Sequence, residues 1–160
     1  MLNVIPNFTL WGELIKHFEG FKTDAYLDPN RIPTVGFGST YNYSEKRKVQ
    51  MGDVITLQQA TNWMQFEFNE IIRLANVYVK IPLNKGQSTA ICDYIYNRGI
   101  GNFLKTQLDE LINANPNDPA IADEINRTGL VDKLGHVLLG LKRRRATQAN
   151  LYLTGVIKYY

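Results

Sequence analysis

Large apolar side chains recur at helical spacing near the start of the chain. Between residues 9 and 19 they stand three or four positions apart, which predicts a short amphipathic helix; they are Trp11, Leu14, Ile15 and Phe18. Gly20 follows this pattern directly, and a glycine in that position is typical of a helix C-terminus. The pattern therefore predicts one short helix that ends at Glu19.

The pattern changes after this helix. The residues "LDPN" at 27–30 predict a turn, because Asp and Pro hold its first two positions. The segment "TVGFGSTYNY" at 34–43 is rich in Thr, Val and aromatic residues with interspersed glycine, which favours short strands of a small antiparallel sheet. The polar segment "SEKRKVQMGD" at 44–53 is expected to be a solvated loop.

Helical patterns occupy most of the chain from residue 56 onwards. Thr56 and Gln59 have the spacing of a capping box and predict the start of a long helix that reaches about residue 79. Asn84 and Gln87 predict a second start, and Gly99 predicts the end of that helix. Further helices are expected over residues 103–115, near 118–126 and over 139–153.

This order of elements predicts an α+β chain that is mostly α, with the strands confined to its first third. We expect a single domain over residues 1–160. Its N-terminal lobe, about residues 1–55, would hold the first helix and the small antiparallel sheet, and its helical lobe would span about 56–160. A cleft between the two lobes is the expected ligand site.

The composition is that of a folded chain. Its 160 residues are 44% hydrophobic and 21% charged, which excludes a disordered protein. The formal net charge of +3 suits an anionic polymer as partner, but it does not choose between nucleic acid, a membrane surface and a cell wall.

Several kinds of site and segment are not expected. Cys92 is the only cysteine, so the chain has no internal disulfide, and His17 and His136 lack the spacing of metal ligands. We therefore expect no metal and no cofactor. No stretch reaches the roughly 18 apolar residues that a membrane span needs, and the first residues lack the pattern of a secretion signal.

Glu19 has an unusual place at the end of the first helix. The C-terminus of a helix carries partial negative charge, so a carboxylate there is disfavoured and its pKa is expected to rise. A carboxyl group that stays protonated near neutral pH can act as a general acid, although a solvated helix end is the alternative interpretation. Asp28 and Thr34, taken alone, read as turn and strand residues, but an acid opposite an ionised carboxylate is the arrangement of glycoside hydrolysis.

The spacing E-x8-D-x5-T of these three residues resembles that of the phage lysozymes (endolysins), glycoside hydrolase family 24. The surrounding "FEG", "AYLD" and "TVGFGST" resemble segments of that family in the same order. Further along, "PLNKGQSTAICDYIYNRG" and "GLKRRRATQANLYLTG" resemble two of its helices. The resemblance covers roughly residues 15–155 and implies a lysozyme-like fold.

The resemblance implies a role for each residue of the site. Glu19 would protonate the leaving glycosidic oxygen, Asp28 would stabilise the oxocarbenium-like transition state or activate water, and Thr34 would position that water. The substrate would be the β-1,4 bond between N-acetylmuramic acid and N-acetylglucosamine in bacterial peptidoglycan. The residues that fall where family members line the sugar-binding cleft are Thr40, Tyr96, Asn97 and Thr106.

The basic run "KRRR" at 142–145 is a single run without interleaved aromatic residues, so it does not favour a nucleic-acid partner. Most of its side chains are expected to be solvated, whereas the resemblance implies that Arg145 turns inward and pairs with Glu19. Ser39 stands where many relatives carry histidine, so a histidine ion pair in the sheet is expected to be missing. Gln148 stands where many relatives carry Glu, and we expect that difference to lie on the surface.

The sequence thus predicts a lysozyme of a bacteriophage or prophage, monomeric and independent of cofactors. It would accumulate in the host cytoplasm and reach the wall once a holin has opened the membrane. One alternative is a lytic transglycosylase on a similar fold, against which the second carboxylate, Asp28, argues. The other is a non-catalytic cell-wall-binding module, which would not need all three residues of the site.

Overall fold

The structure is a computed structural model that describes residues 2–131 and 135–160. It contains two compact units. One comprises Glu13–Asn69, and the other combines the first twelve residues with Glu70–Tyr160. The predicted single domain and the cleft between lobes stay predictions.

The first helix, α1, spans Phe8–Glu19 and confirms the predicted amphipathic segment. The side chain of Asn7 accepts a hydrogen bond from the Leu10 amide at 3.1 Å and so satisfies one amide of the first turn. Trp11 is buried, as are Leu14 and Ile15. The helix ends at Gly20, whose φ of +65° lies in the left-handed region that glycine adopts without steric cost.

Two short antiparallel pairs of strands follow. Strand β1 (Lys22–Leu27) pairs with β2 (Pro33–Gly36), and the register places Tyr26 opposite Thr34. Strand β3 (Tyr41–Asn42) pairs with β4 (Arg47–Lys48). These pairs confirm the predicted small antiparallel sheet in the first third of the chain.

The expectation of a solvated loop over residues 44–53 is wrong, because the segment contains β4 and buries Val49. Its polar residues pair with one another: Arg47 lies 2.6 Å from Glu45 and 2.7 Å from Asp53. Hydrogen bonds from Arg47 hold the pKa of Asp53 down at about 2. The hydrophilic composition therefore reflects a hairpin stabilised by ion pairs across its exposed face.

Helix α2 (Leu57–Tyr78) begins at the predicted capping box, where the Thr56 hydroxyl accepts from the Gln59 amide at 3.2 Å and the Gln59 side chain accepts from the Thr56 amide at 2.9 Å. Helix α3 (Lys85–Arg98) has the reciprocal Asn84–Gln87 cap and ends at Gly99. The remaining helices are α4 (Ile100–Phe103), α5 (Leu108–Ala114), α6 (Ala120–Arg127) and α7 (Leu139–Thr154).

The helix predicted over residues 103–115 begins later than expected, at Leu108, and a separate short helix precedes it. Helix α4 ends at Phe103 and α5 begins at Leu108. Between them the Thr106 hydroxyl donates to the Phe103 carbonyl at 2.6 Å and accepts from the Leu108 amide at 3.2 Å. Such local side-chain hydrogen bonds replace the helical ladder and turn the chain.

The core of the larger unit lies where α3 and α6 pack against α7. The backbone of α3 approaches the end of α7 closely at Gly86. A Cβ added at Gly86 would lie 2.7 Å from the Cα of Gly155. Glycine at position 86 is therefore required by the packing of α3 on the end of α7. The large side chains that are fully buried in this unit include Ile91, Leu108, Ile112, Ile121, Ile125 and Leu151.

Candidate active site

Glu19 is the last residue of α1 and is half-buried. The positive φ of Gly20 turns the chain sharply at this point and leads it into β1 within two residues. The carboxylate is thereby fixed at the junction between a helix and a strand. This is the place that the sequence predicted for it.

Asp28 follows β1 directly and organises the turn to β2. Its Oδ1 accepts from the amides of Asn30, at 2.8 Å, and Ile32, at 2.7 Å. Its own amide donates to the Ile32 carbonyl at 3.0 Å, and Arg31 completes the turn with a φ of +62°. Both side-chain hydrogen bonds described for Asp28 use Oδ1, so Oδ2 can face a substrate or a water while the turn holds the group in place.

Thr34 lies on β2 and is buried. Its hydroxyl donates to the Ile32 carbonyl at 2.9 Å. Because that bond uses the only hydrogen of the hydroxyl, the oxygen can act toward a bound water only as an acceptor. Thr34 and Asp28 also share a neighbour, since both hydrogen-bond to the backbone of Ile32.

Tyr26 connects the three predicted residues. It lies opposite Thr34 in the β1–β2 register, and residues directly opposite in an antiparallel pair project from the same face. Burial raises the pKa of the Tyr26 phenol, and the charges of Glu19 and Asp28 raise it further. Tyr26 is thus paired with Thr34 across the strands, and its phenol lies within electrostatic reach of both carboxylates, all in the unit of residues 13–69.

Sequence reasoning gave Tyr26 no role, although a signal was present. Tyr26 stands two positions before Asp28 in "AYLD", and residues two apart in a strand share a face. The pairing with Thr34 was not accessible, because it depends on the register of β1 against β2. The catalytic roles of Glu19, Asp28 and Thr34 stay predictions.

The predicted sugar-binding residues are divided between the two units. Thr40 is exposed in the smaller unit, where its carbonyl accepts from the Val49 amide at 2.9 Å. Tyr96 and Asn97 lie near the end of α3, and Thr106 lies in the turn before α5. The Tyr96 ring packs edge-on against Trp11 with centroids 5.3 Å apart.

Arg145 turns inward, as predicted, and is 0% exposed. Its guanidinium donates to Gln148 Oε1 at 2.5 Å, to Asn97 Oδ1 at 2.5 Å and to the Thr128 carbonyl at 3.2 Å. The group also lies 4.4 Å from the ring centroid of Tyr94. Burial lowers the pKa of Arg145 to about 10. The predicted pairing of Arg145 with Glu19 stays a prediction.

The expectation that Arg145 alone of the basic run is buried is wrong. Arg144 is buried as well and forms two hydrogen bonds with Asp93, at 3.0 and 2.7 Å, whereas Lys142 and Arg143 are exposed. Helix α7 packs against both α3 and α6, so a wide arc of its surface is covered. Two successive positions, about 100° apart, fit inside that arc.

Gln148 is not a surface residue, which corrects a second expectation about α7. It is 0% exposed; its Oε1 accepts from Arg145, and its Nε2 donates to Asp93 Oδ2. The amide thus links two buried charges of opposite sign by offering one donor and one acceptor. The residue type at position 148 does not reveal such a link, since Asp93 comes from a different helix, α3.

The described residues contain neither a metal-binding cluster nor a membrane-spanning helix. Over 2–131 and 135–160, no three His, Cys, Asp or Glu side chains gather as metal ligands would. Within the same ranges, no helix combines the length and apolarity needed to cross a membrane.

Comparisons with known proteins identify the family of the chain. The family model for phage lysozyme matches residues 16–148. An endolysin of Acyrthosiphon pisum secondary endosymbiont phage 1 is 30% identical over 140 residues, covering 87% of this chain and 92% of that protein. The endolysin of Salmonella phage P22 is 28% identical over 130 residues, covering 81% and 88%.

A solved structure of a phage endolysin has a similar fold. The endolysin from Escherichia coli O157:H7 phage FAHEc1 superposes with a TM-score of 0.83 at 29% identity, covering 92% of this chain and 93% of that one. The mostly helical architecture with a small antiparallel sheet is thus that of phage endolysins. The chain belongs to the phage lysozyme family and is a glycoside hydrolase of the lysozyme type.

Proposed function

We propose that this enzyme hydrolyses the β-1,4 bond between N-acetylmuramic acid and N-acetylglucosamine in bacterial peptidoglycan, with Glu19 as general acid and Asp28 as the second carboxylate. The observation that carries the proposal is the hairpin that holds Asp28 and Thr34, both hydrogen-bonded to the backbone of Ile32, in a chain of the phage lysozyme family. An acid and an ionised carboxylate close together are what glycosidic hydrolysis requires.

The contacts of each residue support a distinct part in the reaction. Glu19 donates its proton to the glycosidic oxygen as the C–O bond breaks. Asp28, held through Oδ1 by two amides, offers negative charge to the oxocarbenium-like carbon or takes a proton from the attacking water. Thr34 accepts a hydrogen bond from that water, since its own hydrogen is given to Ile32.

The sugar-binding roles of Thr40, Tyr96, Asn97 and Thr106 are part of the proposal. Asn97 is the best supported of them, because Arg145 occupies its Oδ1 and thereby fixes the orientation of the amide. The Nδ2 group can then donate to a carbonyl such as that of an N-acetyl group.

The setting of the reaction is also proposed. The resemblance to endolysins implies that the enzyme acts as a monomer and that it is made in the cytoplasm of the host. It would reach peptidoglycan after a holin has permeabilised the membrane. The relatives that carry the name endolysin support this setting.

Mass spectrometry of fragments from purified peptidoglycan tests the activity, the bond and the mechanism together. We expect reducing muramic acid ends, since water adds to the anomeric carbon. A digest in which 1,6-anhydro muramic acid dominates, one water lighter, would show a lytic transglycosylase instead. Undigested material with wild type, under conditions in which a known lysozyme digests it, would refute the proposed activity.

A further inference from the structure

Three aromatic rings form a row on the surface of the unit of residues 13–69. We call this row of Tyr41, Tyr43 and Phe66 the aromatic ladder. The Tyr41 and Tyr43 centroids are 5.0 Å apart, and Tyr43 stacks on Phe66 at 5.6 Å with an interplanar angle of 20°. Phe66 is 57% exposed and Tyr41 is 38% exposed, so the two ends of the ladder face solvent.

The ladder is held rigidly by the fold. Tyr41 and Tyr43 are two residues apart and share a face, while the intervening Asn42 is buried. Phe66 comes from α2, one turn after the buried Trp63, whose ring lies 5.9 Å from that of Tyr43. The central ring therefore packs against the buried Trp63, and each outer ring contacts the central one.

Positive charge lies beside the ladder. Lys48 stands directly opposite Tyr41 in the β3–β4 register, so the two side chains project from the same face. Lys48 is exposed and forms no ion pair in the part of the chain that the structure describes, whereas its neighbour Arg47 is paired with Glu45 and Asp53. A free ammonium group next to exposed rings favours a ligand that carries both apolar faces and carboxylates.

We propose that the aromatic ladder with Lys48 is a second binding site for the peptidoglycan glycan strand, outside the group of Glu19, Asp28 and Thr34. This inference rests on the proposed function for the identity of the polymer. The C–H bonds on one face of a pyranose ring pack against the negative face of an aromatic ring. The lactyl and peptide carboxylates of the wall supply the negative charge that Lys48 would meet.

The geometry favours a glycan over the other occupants of an apolar surface. Fully buried aromatic side chains contribute roughly 150–250 Å² each, so three partly exposed rings fall short of the roughly 800 Å² per partner of a stable protein interface. Two of the three rings also carry hydroxyl groups, which suit a polyol. The ladder begins one residue after Thr40, the proposed sugar-binding residue of the same unit, so one strand could continue from one site to the other.

Binding to insoluble purified peptidoglycan tests the site. The test uses the full chain carrying Glu19→Gln, at low temperature, with cosedimentation as the readout. We expect Tyr41→Ala combined with Phe66→Ala to weaken binding by about tenfold, the loss of two stacking contacts. Leu57→Ala removes an apolar side chain of similar exposure, 55%, from the same helix as Phe66, and we expect it to leave binding within about twofold.

Three further measurements make the outcome decisive. Lys48→Gln is expected to weaken binding at low salt and to have little effect at high salt, because an exposed charge is screened. Titration with the soluble tetramer of N-acetylglucosamine is expected to shift the NMR signals of the ladder rings. Thermal unfolding of each variant verifies that it is folded, and Phe66→Ala alone replaces the double variant if that one unfolds.

Equal binding by the ladder variant and Leu57→Ala would overturn the proposal. So would a ladder-dependent binding to anionic phospholipid vesicles without any to peptidoglycan, or a ladder-dependent dimer in light scattering. The proposed function is tested separately by digestion. Ladder-dependent binding without digestion by wild type would refute the catalytic proposal and leave the binding site supported.

Discussion

Tyr26 on β1 lies directly opposite Thr34 on β2, and the charges of Glu19 and Asp28 both act on its phenol. Tyr26 is thus paired with one predicted site residue on the neighbouring strand, and it is within electrostatic reach of two others, at a helix end and in a turn. The register of β2 against β1 therefore determines which side chains Thr34 faces. A one-residue slip of β2 against β1 would move Thr34 to the opposite face and separate it from the carboxylates.

Replacing Glu19 by Gln should abolish lysis and leave the fold intact. Glutamine cannot donate the proton, so we expect turnover to fall by roughly a hundredfold to ten-thousandfold. The melting temperature should hold or rise, because a carboxylate at a helix C-terminus is unfavourable. Turbidity loss of a peptidoglycan suspension and thermal unfolding measure the two effects.

Glu13→Gln is the matched control for this change. Glu13 is exposed on the same helix, so its replacement should leave turnover near that of wild type. If Glu19→Gln retained turnover within tenfold of wild type, Glu19 would not be the acid.

Asp28→Asn should separate the charge of this residue from its structural role. The asparagine Oδ1 can still accept from the Asn30 and Ile32 amides, so the turn should persist. Loss of the negative charge removes an electrostatic contribution of several kcal/mol to the transition state, and we expect turnover to fall at least a hundredfold. Asp28→Ala should lose both turnover and stability.

Thr34→Ala provides the comparison. It removes one neutral hydrogen bond, worth about 1 kcal/mol, so turnover should fall by only about fivefold. Steady-state rates on soluble peptidoglycan fragments measure both variants. An Asp28→Asn enzyme more active than Thr34→Ala would contradict the assigned roles.

Tyr26→Phe should change how stability depends on alkaline pH. Burial and the two carboxylates raise the pKa of Tyr26 above the value of 10.0 that it has when unfolded. The stability that the neutral phenol contributes is therefore fully present below pH 10. It is lost as the pH rises above 10 and through the pKa of the folded state. Removing the hydroxyl removes this dependence.

The measurement is the difference in melting temperature between wild type and Tyr26→Phe, taken at pH 9 and pH 11. We expect wild type to lose more stability than the variant over this interval. Tyr160→Phe, at an exposed tyrosine, is the control and should follow wild type. Parallel behaviour of all three proteins would show that the fold does not raise the pKa of Tyr26.

Those parts of the fold that depend on local chemistry could be predicted from the sequence. The two capping boxes at Thr56 and Asn84 and the glycines at positions 20, 99 and 155 mark helix ends through contacts within a few residues. The hairpin that holds Asp28 and Thr34 was predictable in the same way, whereas their roles came only from the resemblance to phage lysozymes and stay predictions.

The expectations that were wrong concern partners distant in sequence. Gln148 reads as a polar surface residue until Asp93 of α3 is placed against it, 55 positions away. Arg144 likewise reads as solvated until the same carboxylate is found beside it. The segment around β4 is the exception, because its ion pairs are local: Arg47 pairs with Glu45 and Asp53, two and six positions away, and no single residue signals that pairing.

Gln148→Glu should destabilise the protein. The new carboxylate could still accept from Arg145, but it would lie against Asp93, to which the amide of Gln148 now donates. The attraction of the new carboxylate to Arg145 and its repulsion from Asp93 offset each other. What remains is the loss of the amide donor and the cost of burying an added charge. We expect a loss of about 2 kcal/mol or more in urea unfolding at pH 7.

The pH dependence identifies the cause. Once protonated, the carboxyl group introduced at position 148 can donate to Asp93 as the amide does, so the deficit should shrink as the pH falls. Gln65→Glu, at an exposed site on α2, should change stability by less than about 0.5 kcal/mol at either pH. A Gln148→Glu protein as stable as wild type at pH 7 would mean that the buried site accepts the charge.

Arg145→Ala should destabilise the protein far more than Arg143→Ala. The two residues are about 200° apart on α7, and only Arg145 is buried. Its removal leaves the oxygens of Asn97, Gln148 and Thr128 without their donor and opens a cavity in the core, so we expect a loss of about 3 kcal/mol or more. Arg143 is exposed, and its loss should change stability by less than about 0.5 kcal/mol. Urea unfolding of both variants measures the difference.

Arg145→Lys completes the series by keeping the positive charge while changing its shape. The guanidinium of Arg145 reaches three acceptors at once and lies over the ring of Tyr94. A single ammonium cannot reproduce that planar fork, so lysine should recover only part of the stability that alanine loses. Full recovery by lysine would show that charge alone, and not the three directed hydrogen bonds, is what position 145 contributes.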